Sequence, residues 1–149
     1  MKDYASPAMH TAEHILNQTM VRRFHRGRSF SSHIERRKSK CDYHFDRDLT
    51  ESECREIERD VNAVIAADLP VSEDHMARSD AERHFSLDRL PASAGDLLRI
   101  IRIGDYDACP CGGQHVASTG MIGGFTIVST DFLNGVLRIR FKVDRPDSG

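Results

Sequence analysis

Phe125-Thr126-Ile127-Val128-Ser129-Thr130-Asp131-Phe132-Leu133-Asn134-Gly135-Val136-Leu137-Arg138-Ile139-Arg140-Phe141-Lys142-Val143 reads as a chain folded back on itself. Asn134-Gly135 is the dipeptide favoured by a two-residue hairpin turn, because both positions need positive φ. Strands are expected over Phe125–Ser129 and Leu137–Val143 on either side of it. In the second, Leu137, Ile139, Phe141 and Val143 alternate with Arg138, Arg140 and Lys142, so one face is core and the other basic. An antiparallel sheet is therefore expected, and the segments before it supply helices. Ser6 and Pro7 open a helix, and Ala8, Ala12, Ile15, Leu16 and Thr19 recur with its period to about Arg23. The stretch to about Lys38 has no period and is expected to be a mobile loop with room for a short strand.

Lys40–Asp46 alternates as a strand, and Thr50 with Glu53 forms a capping box for a helix along Cys54, Ile57, Val61, Val64 and Ile65 to about Ala67. A short helix is expected near Ser79–His84, a loop at Pro91 and Gly95, and a buried strand over Leu97–Ile103. The fold class is α+β, one domain over 1–149, with a mostly antiparallel sheet packed against helices. A length of 149 residues with 39% hydrophobic content suits one core.

Polar residues from Met1 to Pro7 offer no signal peptide, and no segment approaches the ~20 apolar residues that span a bilayer. A cytoplasmic protein without membrane contact is expected. In that compartment Cys41, Cys54, Cys109 and Cys111 are poor disulfide candidates. Cys41 and Cys54 fall on apolar faces and read as small core residues.

Net charge is −2, yet eight of the 21 basic residues (Arg22, Arg23, Arg26, Arg28, Arg36, Arg37, Lys38 and Lys40) stand between positions 22 and 40 against one acid, Glu35. Such a strip can hold a phosphate backbone on a mildly acidic protein, with Arg138, Arg140 and Lys142 as a second candidate face. It can equally be a solvated loop. Phe24 and Phe30 are its only aromatics, so no stacking platform of the single-strand-binding kind accompanies it.

His10 and His14 stand ~40° apart around their helix, one turn above the other, and can face one ion. Such a pair is common on surface helices. Cys109-Pro110-Cys111-Gly112-Gly113-Gln114-His115 adds thiol and imidazole donors on a glycine turn. His10, His14, Cys111 and His115 then form two i, i+4 pairs of the donor types zinc prefers. The alternative is a core histidine pair beside a glycine turn holding two buried thiols. Cys109 can replace Cys111 as ligand, although Pro110 makes joint ligation awkward. His25, His33, His44, His75 and His84 have no partner at metal spacing. Asp105 and Asp107 can orient a ligand histidine or simply form an acidic turn.

His10-Thr11-Ala12-Glu13-His14-Ile15-Leu16-Asn17 resembles the His-Thr-Ala-x-His-Leu-Leu motif that opens the editing domain of alanyl-tRNA synthetase. Arg102–Asp107, Cys111-Gly112-Gly113-Gln114-His115-Val116, Thr119-Gly120 and Ile122-Gly123 resemble that domain's second motif. The strand at Cys41–Asp46 and the helix opened by Leu49-Thr50-Glu51 also fall in its order. What the resemblance implies is zinc held by His10, His14, Cys111 and His115. The implied reaction is hydrolysis of the ester joining a wrong amino acid, serine or sometimes glycine, to the tRNA for alanine. The length suits the short freestanding type of the AlaX group, acting in trans. A related domain in threonyl-tRNA synthetase removes serine from the threonine tRNA. Gln114, where the motif commonly has threonine, and Glu13, Ile15 and Cys-Pro-Cys depart from the pattern, and Gln114 bears on substrate choice.

Zinc can activate water, polarise the carbonyl or anchor the substrate, and the residues leave these open. Thr11 can bond a substrate hydroxyl or its own helix backbone. The Gly112 and Gly113 amides can face an oxyanion or merely let the turn form. A non-catalytic zinc-stabilised RNA-binding module and a zinc hydrolase of another small ester are the alternatives to editing. The oligomeric state is left open.

Overall fold

A computed structural model describes residues 6–85 and 95–144. The expectations for Met1–Ala5 and for Pro91 lie outside these residues. In chain order the elements are α1 (Pro7–Phe24), β1 (Ser31–His33), β2 (Ser39–His44), α2 (Glu51–Ala66), β3 (Val71–Ala77), α3 (Arg78–Ala81), β4 (Leu97–Ile103), β5 (Asp107–Pro110), a 3-10 turn (Thr119–Met121), β6 (Phe125–Leu133) and β7 (Val136–Val143). One sheet has the order β1-β2-β7-β6 and the other β3-β4-β5, and every pairing is antiparallel. The expected α+β class is what the chain forms, in two sheets.

α1 starts where its cap dictates: the Ser6 side chain accepts from the Met9 amide, and Pro7 occupies the first turn, where its missing N–H costs nothing. The helix ends at His25, whose left-handed φ of 57° returns its amide to the Val21 carbonyl. Its apolar stripe and its polar residues are both covered. Ala12, Ile15 and Leu16 enter the main core, while Thr11, Glu13, His14 and Asn17 are buried on other sides. A helix enclosed this fully can present polar groups only to partners inside the protein.

α2 begins with the full capping box at Thr50 and Glu53 and buries Ile57, Val61, Val64 and Ile65. Both helices pack against the four-stranded sheet through Tyr43, Leu137, Ile139 and Phe141. Cys41 lies in this core, and Cys54 is partly buried against it.

The hairpin turn has φ of 52° at Asn134 and 80° at Gly135, as its sequence demands. β6 continues past Ser129 to Leu133, four residues beyond the expected end. A bulge between Ile127 and Ser129 shifts the register there, so the alternation changes phase and looks like the end of a strand. β4 has the expected bounds, but Leu97 at its start is 64% exposed and only the later residues are buried.

Two strands were not foreseen. β3 is a polar edge strand of Val71, Ser72, Glu73, Asp74, His75, Met76 and Ala77 without a buried stripe to give it a period. β5 covers Asp107–Pro110, and Pro110 fits there because an edge strand can do without its amide. β5 is what turns the cysteine segment toward α1.

Candidate metal centre

The nearest approach of the two sequence motifs is between α1 and the turn after β5. Ligand atoms of His10, His14, Cys111 and His115 all lie within 4.8 Å of one another, and His10 Nε2 is 3.5 Å from Cys111 Sγ. Zinc–nitrogen and zinc–sulfur bonds of about 2.0–2.3 Å would put tetrahedral donors roughly 3.3–3.8 Å apart, so the spacing suits such an ion. Cys109 is not part of this group.

His10 and His115 are each held by one ring nitrogen, while the buried Nδ1 of His14 has no hydrogen-bond partner among the described residues. His10 Nδ1 lies 3.1 Å from the Gln114 carbonyl, which only accepts, so Nδ1 carries the proton and Nε2 a lone pair. Thr11 Oγ1 donates its one proton to the Pro7 carbonyl at 2.9 Å, and it therefore accepts from His115 Nδ1 at 2.9 Å and from the Val116 amide at 3.2 Å. His115 is left with a buried Nε2 that has no hydrogen-bond partner among the described residues. A buried bare lone pair facing two imidazoles and a thiol is what a metal ligand looks like before the metal is counted.

His14 Nδ1 lies 3.6 Å from Asp107 Oδ2. Asp107 is itself buried and takes Arg28 Nη1 at 2.7 Å, Arg28 Nη2 at 3.3 Å and Gln18 Nε2 at 3.1 Å. Glu13, on α1, has Oε1 3.8 Å from both His10 Nε2 and His14 Nε2, while Oε2 accepts from Asn17 and Ser32. Asn17 Oδ1 in turn accepts from the Ser29 amide and the Tyr43 hydroxyl. In the sequence Glu13 stands only as a departure from the motif, and the network it anchors is not visible there.

The electrostatics follow from this packing. Burial pushes the Cys111 thiol up, but the imidazoles of His10, His115 and His14 crowded around the sulfur outweigh it and hold the group at about 3, as a thiolate. For His14 burial lowers the pKa, and contacts with Asp107, Cys111 and Glu13 overcome it to give about 9. Burial takes His115 down to about 4, against the pull of Cys111 and with the help of His14. Burial also raises Glu13 and Asp107, yet their cationic and hydrogen-bonding neighbours leave both carboxyls below the usual range. An anionic lining of this kind suits a cation.

The glycines divide. A Cβ on Gly113 would lie 2.2 Å from His10 Cε1, whereas one on Gly112 would meet nothing within 4 Å. Only Gly113 lets the turn lie against the ring, and its amide points at Cys111 Sγ at 3.4 Å rather than at open space. Arg99 on β4 steadies the turn by donating to the Cys111 and Gly113 carbonyls at 3.2 and 2.6 Å. Gln114 and Gly112 are exposed at the rim, as is Asp105, which takes no part in the centre. Thr119 accepts from the Leu69 amide and donates to the Val64 carbonyl, so it ties the following loop to the end of α2.

The Thr11 hydroxyl has its hydrogen-bonding capacity filled by Pro7, His115 and Val116, the first of these being the bond to its own helix backbone. The basic strip splits. Arg22 bonds the Tyr106 carbonyl, Arg23 pairs with Glu56 and Asp60, Arg26 with Asp46 and Arg28 with Asp107. Arg36, Arg37 and Lys38 are exposed on the turn joining β1 to β2, and Lys40 is half-buried on β2 opposite Arg140. On the outer sheet face Arg138 and Arg140 pair with Asp42 and Asp131. His25, His33, His44, His75 and His84 stay outside the cluster. No helix among the described residues is long and apolar enough to cross a membrane.

Residues 98–140 match the family model of the threonyl and alanyl tRNA synthetase second additional domain. The chain is 35% identical over 136 residues to an alanine–tRNA ligase of Treponema denticola, which covers 89% of this chain and 22% of that protein. It is 33% identical over 143 residues to the Nitratidesulfovibrio vulgaris ligase (91% of this chain, 16% of the relative) and 37% identical over 122 residues to the Bacillus subtilis one (80% and 14%). The chain thus spans about a fifth or less of the length of these relatives. Across most of its own length the chain is similar to these alanine–tRNA ligases, and over residues 98–140 it resembles the second additional domain of threonyl and alanyl tRNA synthetases.

Proposed function

We propose that this chain is a zinc-dependent hydrolase that cleaves the ester between a wrong amino acid and the terminal adenosine of tRNA, with seryl-tRNA for alanine as first substrate and glycyl-tRNA for alanine as second. The observation that carries this is the convergence of three imidazoles and one thiolate, with His10 and His115 each holding a proton on the far nitrogen. The similarity to alanine–tRNA ligases supports the choice of substrate class. Bound by His10, His14, Cys111 and His115, zinc would supply Lewis acidity to an ester that is already activated.

The chain's own residues do the rest. Gln114 and Gly112 stand at the exposed rim and are assigned to the amino-acid end of the substrate, and Thr11 and Gly113 act behind the ligands. Arg36, Arg37 and Lys38 are assigned to the phosphate backbone because they stand exposed on the turn joining β1 to β2, with Lys40 next to them on β2. Affinity for tRNA should then fall steeply with salt.

The test is deacylation of seryl-, glycyl- and alanyl-tRNA for alanine and of seryl-tRNA for threonine by zinc-loaded protein and by its Cys111→Ala variant. Hydrolysis of seryl-tRNA for alanine, sparing of alanyl-tRNA and an inactive variant are expected. No turnover of any of the four by zinc-loaded protein would overturn the reading in favour of a non-catalytic RNA-binding module or a hydrolase of another ester.

A further inference from the structure

Arg28 stands in the basic strip by sequence and at the metal centre by structure. It follows α1 after the left-handed turn at His25, and the next residue, Ser29, donates its amide back to Asn17 of the helix the chain has just left. Its guanidinium takes both oxygens of Asp107, at 2.7 and 3.3 Å, although the Asp107 side chain is 0% exposed and that of Arg28 29%. A buried carboxylate needs a counter-charge, and a two-toothed guanidinium also fixes the carboxylate plane. Gln18 Nε2 adds a third donor from α1. Asp107 Oδ2 is then left facing His14 Nδ1 at 3.6 Å, just beyond hydrogen-bond distance, on the side where ligand histidines commonly have an orienting carboxylate. The neighbouring arginines of the strip turn elsewhere: Arg22 reaches the Tyr106 backbone carbonyl, Arg23 reaches α2, and Arg26 reaches Asp46.

We propose that Arg28 is a positioning residue of the metal centre, which acts through Asp107 to hold His14 in its ligating orientation, and is not a phosphate contact. The proposal deepens the metal-dependent reading above and rests on it for the identity of the ion. Arg28 touches neither substrate nor metal in this scheme. It fixes Asp107, Asp107 fixes the ring of His14, and a ring free to turn binds an ion less tightly.

Arg28→Ala, Arg28→Lys, Asp107→Asn and Lys38→Ala separate this role from phosphate binding. Zinc affinity is read by competition with a chromophoric chelator, and ligand geometry by the visible spectrum of the cobalt(II)-substituted protein. Arg28→Ala and Asp107→Asn are expected to lose about 10–100-fold in zinc affinity and to shift the cobalt bands. Arg28→Lys, which keeps the charge but not the paired donors, should fall between them and the wild type. Lys38→Ala should keep zinc affinity and cobalt spectrum. On a hydrolysed aminoacyl-tRNA, the Arg28 variants should lower kcat with little change in KM, and Lys38→Ala should raise KM.

Wild-type zinc affinity and an unshifted cobalt spectrum in folded Arg28→Ala would overturn the proposal, as would a rise in KM alone. Should Arg28→Ala fail to fold by circular dichroism, Arg28→Lys and Asp107→Asn, which disturb volume little, decide in its place. Absence of hydrolysis by the wild type would sink the editing reading and leave the zinc and cobalt measurements to judge this one.

Discussion

The two walls of the candidate metal centre follow opposite plans. One is α1, enclosed on nearly every side and stiffened by its own helical hydrogen bonds. The other is a short turn with Gly112 and Gln114 exposed, held to β4 by Arg99. Each wall nevertheless sets the donors of the other: the Gln114 carbonyl on the turn fixes His10 of the helix, and Thr11 of the helix fixes His115 of the turn. The helix supplies position, and the cross-ties decide which nitrogen each ring presents. A metal site built this way depends on both walls equally, whatever their difference in rigidity.

The hardest blow to the comparison is removal of a donor. His14→Ala on the helix and His115→Ala on the turn should each cost more than about 100-fold in zinc affinity, beyond the loss typical of outer-shell changes, as read by chelator competition. A large loss for one and a small loss for the other would show the walls to be unequal. Next comes the glycine pair. Gly113→Ala drives a methyl group into His10 and should lower zinc affinity by roughly 10-fold or more, while Gly112→Ala, which meets nothing, should leave it within about twofold.

The charge state of the centre sharpens the contrast further. With Cys111 a thiolate from about 3 and His14 raised to about 9, the metal-free site at neutral pH holds one proton on His14 that the metal must displace. Zinc affinity should therefore rise about tenfold per pH unit from 7 towards 9 and level off above that, and binding at pH 7 should release about one proton in calorimetry across buffers. The smallest effect lies away from both walls. Thr50→Ala breaks the capping box of α2 and should cost about 1 kcal/mol of stability by urea unfolding, with zinc affinity unchanged.

Legibility in the sequence followed the strength of local chemistry. Ser6-Pro7, Thr50 with Glu53, and Asn134-Gly135 each demand one backbone geometry, and each has it. Where the deciding contact was distant, local reading failed. β3 and β5 are edge strands recognised only by their pairing with β4, and the bulge in β6 disguised its length. The four donors could be named because their types and spacings are restrictive, and the structure gathers them. Asp107 was read as a candidate second partner or a plain turn residue. Arg28 was placed with the phosphate-binding strip, because nothing in the order of residues shows that positions 28 and 107 meet. Glu13 reads in the sequence only as a departure from the motif, for the same reason: burial of a charged helix residue is a property of everything around it.

The distance along the chain between the two walls has a consequence for folding. Residues 10–14 and 111–115 come together only when the two sheets, α2 and the chain between them are in place, so an unfolded chain offers zinc at most half of the donor set. An ion with little affinity for the unfolded chain stabilises the folded one by mass action, about 4 kcal/mol when free zinc stands a thousandfold above its dissociation constant. Supply of the metal would then set how much of this chain survives in its folded form, before any question of what that form does.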